Sequence, residues 1–185
     1  MGYKITIKQG NLLNESEATF IVNASNTRMI LGSGVSMAFK RKYGLALQNE
    51  MSEKLNTLNK ELEPGEIIKT SAINSSQFLN VLHVAIINYN KKSQIKQKNP
   101  TLHTIEKSLI EIEKHVSEFV KKEKSRRVKL VMPLMGCGVD GLNKRELITV
   151  YRDFFKRDQS FDCEVVIYGY TIEDYQIIEQ IILNK

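Results

Sequence analysis

The chain has 185 residues, 42% of them hydrophobic and 26% charged, and its 27 Lys plus Arg against 21 Asp plus Glu give a formal charge of +6. That is globular composition at the length of one domain (1–185); it excludes a disordered chain and calls for no disulfide or metal staple. No run of about 18 apolar residues occurs, the first residues do not start a signal peptide, and Cys137 and Cys163 have no close pairing. A cytoplasmic chain without a membrane partner is expected.

Tyr3, Ile5 and Ile7 alternate with Lys4, Thr6 and Lys8, the period of a half-buried strand. Thr19–Val22 is a short apolar run suited to an interior strand, followed by Asn23-Ala24-Ser25-Asn26 and a loop holding Gly32-Ser33-Gly34-Val35. A helix starts near Val35 and stops at Gly44; Leu47, Met51, Leu55 and Leu58 then recur at helical spacing. Pro64-Gly65 is a turn, and Ile67–Ile73 and Phe78–Ile87 read as two strands joined at Asn74-Ser75-Ser76. The basic stretch from Asn88 to Pro100 lacks periodicity and reads as a loop. Leu102, Ile105, Leu109, Ile112, Val116 and Phe119 make the clearest amphipathic helix. Val128–Met132 is a buried strand that leads into a Pro133–Leu142 loop. Asn143 and Glu146 form a capping-box pair at the start of a helix, Glu164–Tyr168 is a further strand, and Thr171 caps a last helix. Strands interleaved with helices predict an α/β chain with a mostly parallel sheet between helix layers.

In open α/β sheets ligands bind beyond the carboxyl ends of strands. Two glycine loops have that placement, Gly32-Ser33-Gly34 and Gly136-Cys137-Gly138-Val139-Asp140-Gly141. Glycine admits positive φ and close backbone approach, so N–H groups can face phosphate oxygens, and each following helix adds its positive end. A pair of such loops suits a diphosphate; a single one is more often a packing turn. The second also spells G-x-G-x-x-G, with Asp158 and Asp162 near the distance of a ribose-binding acid, though it lies late in the chain with Pro133 interrupting the approach. Asn23 and Asn26 offer donors and acceptors for ribose hydroxyls or for loop closure, the latter the better reading of Asn23. Asp140 fits a general base, a ribose ligand or a turn residue, kept ionised by helix-end dipoles. Cys137 reads as a small neighbour of glycines rather than a nucleophile, and His83 as a satisfied core histidine. His83, His103 and His115 lack ligand spacing, so no metal or other cofactor is expected. The basic runs at 40–42, 91–92 and 121–127 leave a nucleic-acid-binding module as a rival reading.

Taken in order, Gly10-Asn11-Leu12, Ile21-Val22-Asn23-Ala24-Ser25-Asn26, Gly32-Ser33-Gly34-Val35, Pro64-Gly65-Glu66 and Pro133-Leu134-Met135-Gly136-Cys137-Gly138-Val139-Asp140-Gly141-Leu142 resemble the landmarks of a macrodomain, over nearly the whole chain. The resemblance implies a three-layer α/β/α sandwich with a mixed, mostly parallel sheet that binds ADP-ribose, and either an ADP-ribosyl hydrolase acting on modified protein or nucleic acid or a non-catalytic reader. It implies two phosphate loops, Gly32, Ser33, Gly34, Val35 and Gly136, Cys137, Gly138, Val139, with Pro133 leading into the second and Asn23 and Ala24 beside the first. It also implies a distal-ribose contact at Asn26, adenine contacts at Asn11, Leu12 and Tyr170, and a catalytic carboxylate at Asp140. Asn11 replaces the family's usual Asp, and Ser36 stands where MacroD-type hydrolases carry their acid. The second loop, the run Ala38–Gly44 and Pro100-Thr101 are more similar to the terminal or DNA ADP-ribose glycohydrolase branch. That branch uses a Lys at the end of the strand before the basic loop, where this chain has Ile86, Ile87 or Asn88; Lys91, with Lys92 a few residues further on, is the shifted candidate here.

Overall fold

The computed structural model describes residues 1–124, 127–138 and 141–183. Its strands are β1 (Tyr3–Gln9), β2 (Ala18–Asn26), β3 (Ile67–Ser71), β4 (Phe78–Ile87), β5 (Val128–Pro133) and β6 (Cys163–Gly169). Its helices are α1 (Gly34–Thr57), α2 (Leu102–Glu123), α3 (Lys144–Phe155) and α4 (Ile172–Leu183), with a single 3-10 turn at Leu12–Asn14. One sheet runs in the order β1-β6-β5-β2-β4-β3, parallel throughout except for the antiparallel edge pair β3–β4.

Alternation along each strand separates two cores. Phe20 and Val22 of β2, with Leu130 and Met132 of β5, face one way and pack on Ile105, Leu109, Leu147, Ile148, Tyr151 and Ile178 of α2, α3 and α4. Ile21 and Val131 face the other way and meet Phe39, Leu47 and Met51 of α1 with Leu12 and Leu13. The expected α/β/α sandwich is therefore present: three helices cover one face and α1 covers the other.

Two elements differ from the sequence expectation. β2 continues through Asn23-Ala24-Ser25-Asn26 instead of stopping at Val22, because Asn23 pairs with His83 across the β2–β4 ladder. Asparagine is strand-poor only while its amide lacks a partner, and here β4 supplies one. The helix does not stop at Gly44 but turns there: Gly44 has φ 61° and ψ −146°, a conformation open to glycine and costly for other residues, and the chain re-enters helix beyond it. Pro133 extends β5 and stays in register with Tyr168, so it closes the strand rather than interrupting it.

Candidate functional site

β2 and β5 are neighbours in the sheet, and the helices that follow them, α1 and α3, leave to opposite faces. That is a topological switch point, where a crevice opens beyond the carboxyl ends of the strands. Both glycine loops hang on this point, the first between β2 and α1, the second between β5 and α3.

Their glycines fall into two kinds. A Cβ at Gly32, Gly34 or Gly138 would meet no atom of the described residues within 4 Å beyond its chain neighbours, so these positions are open on that side. At Gly136, with φ +78°, a Cβ would stand 2.8 Å from Cγ of Pro100, and at Gly141 it would stand 2.1 Å from the Gly136 carbonyl oxygen. Those two pack the loop. The Gly136 and Gly138 carbonyls turn inward to accept from the Leu142 and Gly141 N–H groups at 2.8 and 2.9 Å. Because a trans peptide sets C=O and N–H in opposite directions, the Cys137 N–H points outward.

Helix ends sharpen the contrast. α2 is capped by Thr101 and Thr104 in a reciprocal box, α3 by Asn143, whose side chain accepts from the Arg145 and Glu146 N–H groups, and α4 by Thr171 and Asp174. Among the described helices, α1 alone has an N-cap, Ser33, whose side chain makes no cap bond. Its first N–H groups are left for an anion. The two loops thus differ: the helix start after the first is free of a side-chain cap, whereas Asn143 takes two N–H groups at the start of α3. Ser36, on the first turn of α1, is buried, and its Oγ has no partner among the described residues.

Asn26 closes the first loop upon itself. Its Nδ2 donates to the Ile30 carbonyl at 2.9 Å, and its Oδ1 accepts from the Arg28 and Ile30 N–H groups at 3.1 and 3.3 Å. Asn23 is wholly buried and donates to His83 Nδ1 at 3.0 Å, so it is a neighbour of the site within the sheet and not a surface contact; Ala24 beside it is part-buried. Thr70 spends its hydroxyl proton on the Ser71 carbonyl, so His83 Nε2 donates to Thr70 Oγ1 at 2.8 Å and Nδ1 is the acceptor. Burial depresses the imidazole to about 3 and keeps it neutral. The core-histidine reading of His83 therefore holds.

At the other end of the line, β1 and β6 run side by side, and the Gly10 N–H donates to the Gly169 carbonyl at 2.8 Å. This brings Asn11 and Leu12 next to Tyr170, which is 74% exposed. Asn11 Oδ1 accepts from the Leu13 N–H at 3.0 Å and caps the 3-10 turn with one of its two lone pairs. Behind this wall Glu15 is 1% exposed and bound by Lys8 and Lys129, each at 2.8 Å, and by the Tyr168 hydroxyl at 2.9 Å. Burial alone would raise its carboxyl, but the bonds from Lys129, Lys8 and Tyr168 outweigh that and hold it at about 2.

Cys137 is half-buried, and burial pushes its thiol up to about 11, which fits a filler and not a nucleophile. Val139 and Asp140 lie outside the described residues. Lys91 is exposed on the loop after β4; its neighbours Asn90 and Lys92 turn to Glu63 and Glu61, ahead of β3. Residues that the sequence did not single out also shape the site. Thr27 accepts from the Tyr89 N–H at 2.8 Å, Gln48 bonds Met29 and Leu31, and the Tyr151 hydroxyl bonds Pro133 and Met135. In the sequence they are ordinary polar or core helix positions. An open groove of about 1450 Å³ lies at the opposite end of the sheet, where the strands begin, lined among others by Tyr3, Lys4, Arg127 and Asp158. Its mixed charges and distance from both glycine loops separate it from the chemistry described here.

Read along the sheet, the carboxyl ends present Asn11 and Tyr170 at β1 and β6, Gly136–Gly138 at β5, Gly32–Val35 and Asn26 at β2, and Lys91 after β4. This defines an α/β/α sandwich with two glycine loops side by side at its switch point. The Macro domain family profile matches residues 22–151, and the chain belongs to that family. A solved mutant macrodomain of Oceanobacillus iheyensis with ADPR superposes with a TM-score of 0.72 at 21% identity, covering 97% of this chain and 91% of that one. A Trypanosoma brucei macrodomain in complex with ADP-ribose gives 0.72 at 19% identity, covering 95% and 68%. The macrodomain of Thermus aquaticus DarG gives 0.66 at 19%, covering 91% and 99%. Among curated proteins none matches the sequence.

Proposed function

We propose that the chain binds ADP-ribose along this line of strand ends and hydrolyses the bond between its distal ribose and a modified protein or nucleic acid. The observation that carries the reading is the open pair of glycine loops on adjacent parallel strands, one of them opening into the sole uncapped helix start among the described residues. Adenine lies between Asn11, Leu12 and Tyr170, the diphosphate between the loops, and the distal ribose beyond Asn26. The structures with ADPR and ADP-ribose described above support the choice of ligand.

For hydrolysis, water replaces the acceptor group on the anomeric carbon: the C–O or C–N bond to the macromolecule breaks, a C–OH bond forms, and the acceptor leaves with a proton. Asp140 supplies the carboxylate, in sequence between the open Gly138 and the packing Gly141, either taking the water proton or stabilising positive charge on the ribose ring. Ser36 supplies no carboxylate at the start of α1, so the acid work falls to Asp140.

A second reading, a reader that binds without cleaving, is favoured by Asn26, whose amide is already committed to Arg28 and Ile30. Calorimetry with ADP-ribose, followed by release of ADP-ribose from modified protein and DNA, separates the two. The hydrolase reading expects binding by the parent chain and a loss of roughly 10²–10⁴ in rate for Asp140→Ala at little cost in affinity. Binding without release establishes the reader, and no heat at millimolar ligand removes both.

A further inference from the structure

The two glycine loops are approached by the same device. Before the first, Gln48 Nε2 donates to the Met29 carbonyl at 2.8 Å and Gln48 Oε1 accepts from the Leu31 N–H at 2.8 Å. Before the second, the Tyr151 hydroxyl donates to the Pro133 carbonyl at 3.0 Å and accepts from the Met135 N–H at 3.1 Å. Each side chain takes the C=O of one residue and the N–H of the residue two further on, immediately ahead of the loop's first glycine. Each also comes from the helix into which its loop leads, α1 for Gln48 and α3 for Tyr151. Met29, Leu31 and Met135 are buried, so these backbone groups have no water to fall back on. Met29 sits at φ 52°, a left-handed conformation that a methionine keeps only when its surroundings impose it. Gln48 belongs to the part of α1 beyond the Gly44 turn.

We propose that Gln48 and Tyr151 are paired positioning residues that set the gap between the two loops, a role that rests on the ADP-ribose reading. A diphosphate must touch both loops at once, yet the loops are fastened to helices on opposite faces of the sheet. Two clamps, one per layer, fix each loop relative to its own helix and therefore fix the loops relative to one another. Neither side chain touches the ligand.

The test compares Gln48→Leu, Gln48→Glu and Tyr151→Phe with the parent chain. Affinities for ADP-ribose and for adenosine, which lacks the diphosphate, are measured beside thermal melting and amide exchange of the segments 29–34 and 133–138. Loss of one buried hydrogen-bond pair predicts a roughly tenfold weaker ADP-ribose complex for Gln48→Leu and for Tyr151→Phe, with adenosine affinity within about twofold of the parent. Exchange quickens in the segment that has lost its clamp and not in the other. Gln48→Glu, which keeps the acceptor for Leu31, falls between parent and Leu variant. Variants that melt earlier but bind ADP-ribose as the parent does overturn the proposal and leave only packing roles. Because Tyr151→Phe preserves the buried ring, it decides the question even if Gln48→Leu fails to fold. A parent that binds no ADP-ribose removes the functional reading and the ligand half of the proposal, whereas unchanged exchange in both segments removes the clamps themselves.

Discussion

At the scale of single residues, five glycines in two similar-looking loops do different work. A Cβ at Gly138 meets no described residue within 4 Å, so Gly138→Val is expected to keep the fold and to fill the place proposed for the diphosphate. The expected outcome is a melting temperature near the parent's and ADP-ribose binding lost by calorimetry. Gly136→Val meets Pro100 at a backbone angle that L-residues avoid, and it is expected to cost about 1–3 kcal/mol in urea unfolding. Tyr170 is exposed, with no ring contact among the described residues; Tyr170→Ala is expected to remove about 1–3 kcal/mol of ADP-ribose affinity through lost stacking while stability stays put. The loops were legible in the sequence because glycine carries its own geometry, whereas Asn11 and Tyr170 stood out only through the family resemblance. The division between open and packing glycines was not, since it depends on Pro100, distant in sequence and adjacent only once the sheet has formed.

At the scale of elements, periodicity placed all six strands and all four helices of the described residues, with errors where a partner from elsewhere decided the outcome. β2 runs on past Val22 because His83, sixty positions away, meets the Asn23 amide. Similarly, α1 is continuous in assignment yet broken in direction at Gly44, and only the structure shows that the turn leads to a helix segment from which Gln48 reaches Met29 and Leu31. Gly44→Ala is expected to cost about 1–3 kcal/mol by forcing a side chain into that conformation. It should also weaken ADP-ribose binding in proportion as Gln48 is drawn away; a melting curve and a titration on the same sample check both. Gln48 and Tyr151 themselves left no trace in the sequence: one is a polar residue on a polar helix, the other an aromatic residue on an apolar stripe.

At the scale of the whole molecule, two buried groups set the acid limit. His83 falls from 6.5 to about 3 on folding, so its neutral form contributes fully above about pH 6.5, and the contribution drains away as pH falls toward 3. Glu15 falls from 4.5 to about 2; its ionised form contributes above about pH 4.5 and is lost as pH falls toward 2, of the order of 3 kcal/mol in all. Stability to urea should therefore decline in two stages, and Glu15→Gln should flatten the lower stage while leaving the upper in place. The placement of the two sulfurs has a practical corollary. Cys163 is buried at the foot of the sheet, whereas Cys137 is partly exposed on the second glycine loop, with burial pushing its thiol up to about 11, so little of the reactive anion is present at neutral pH. A maleimide dye would then tag one position, slowly, and slower still with the cleft filled, which makes the unmodified chain its own occupancy gauge.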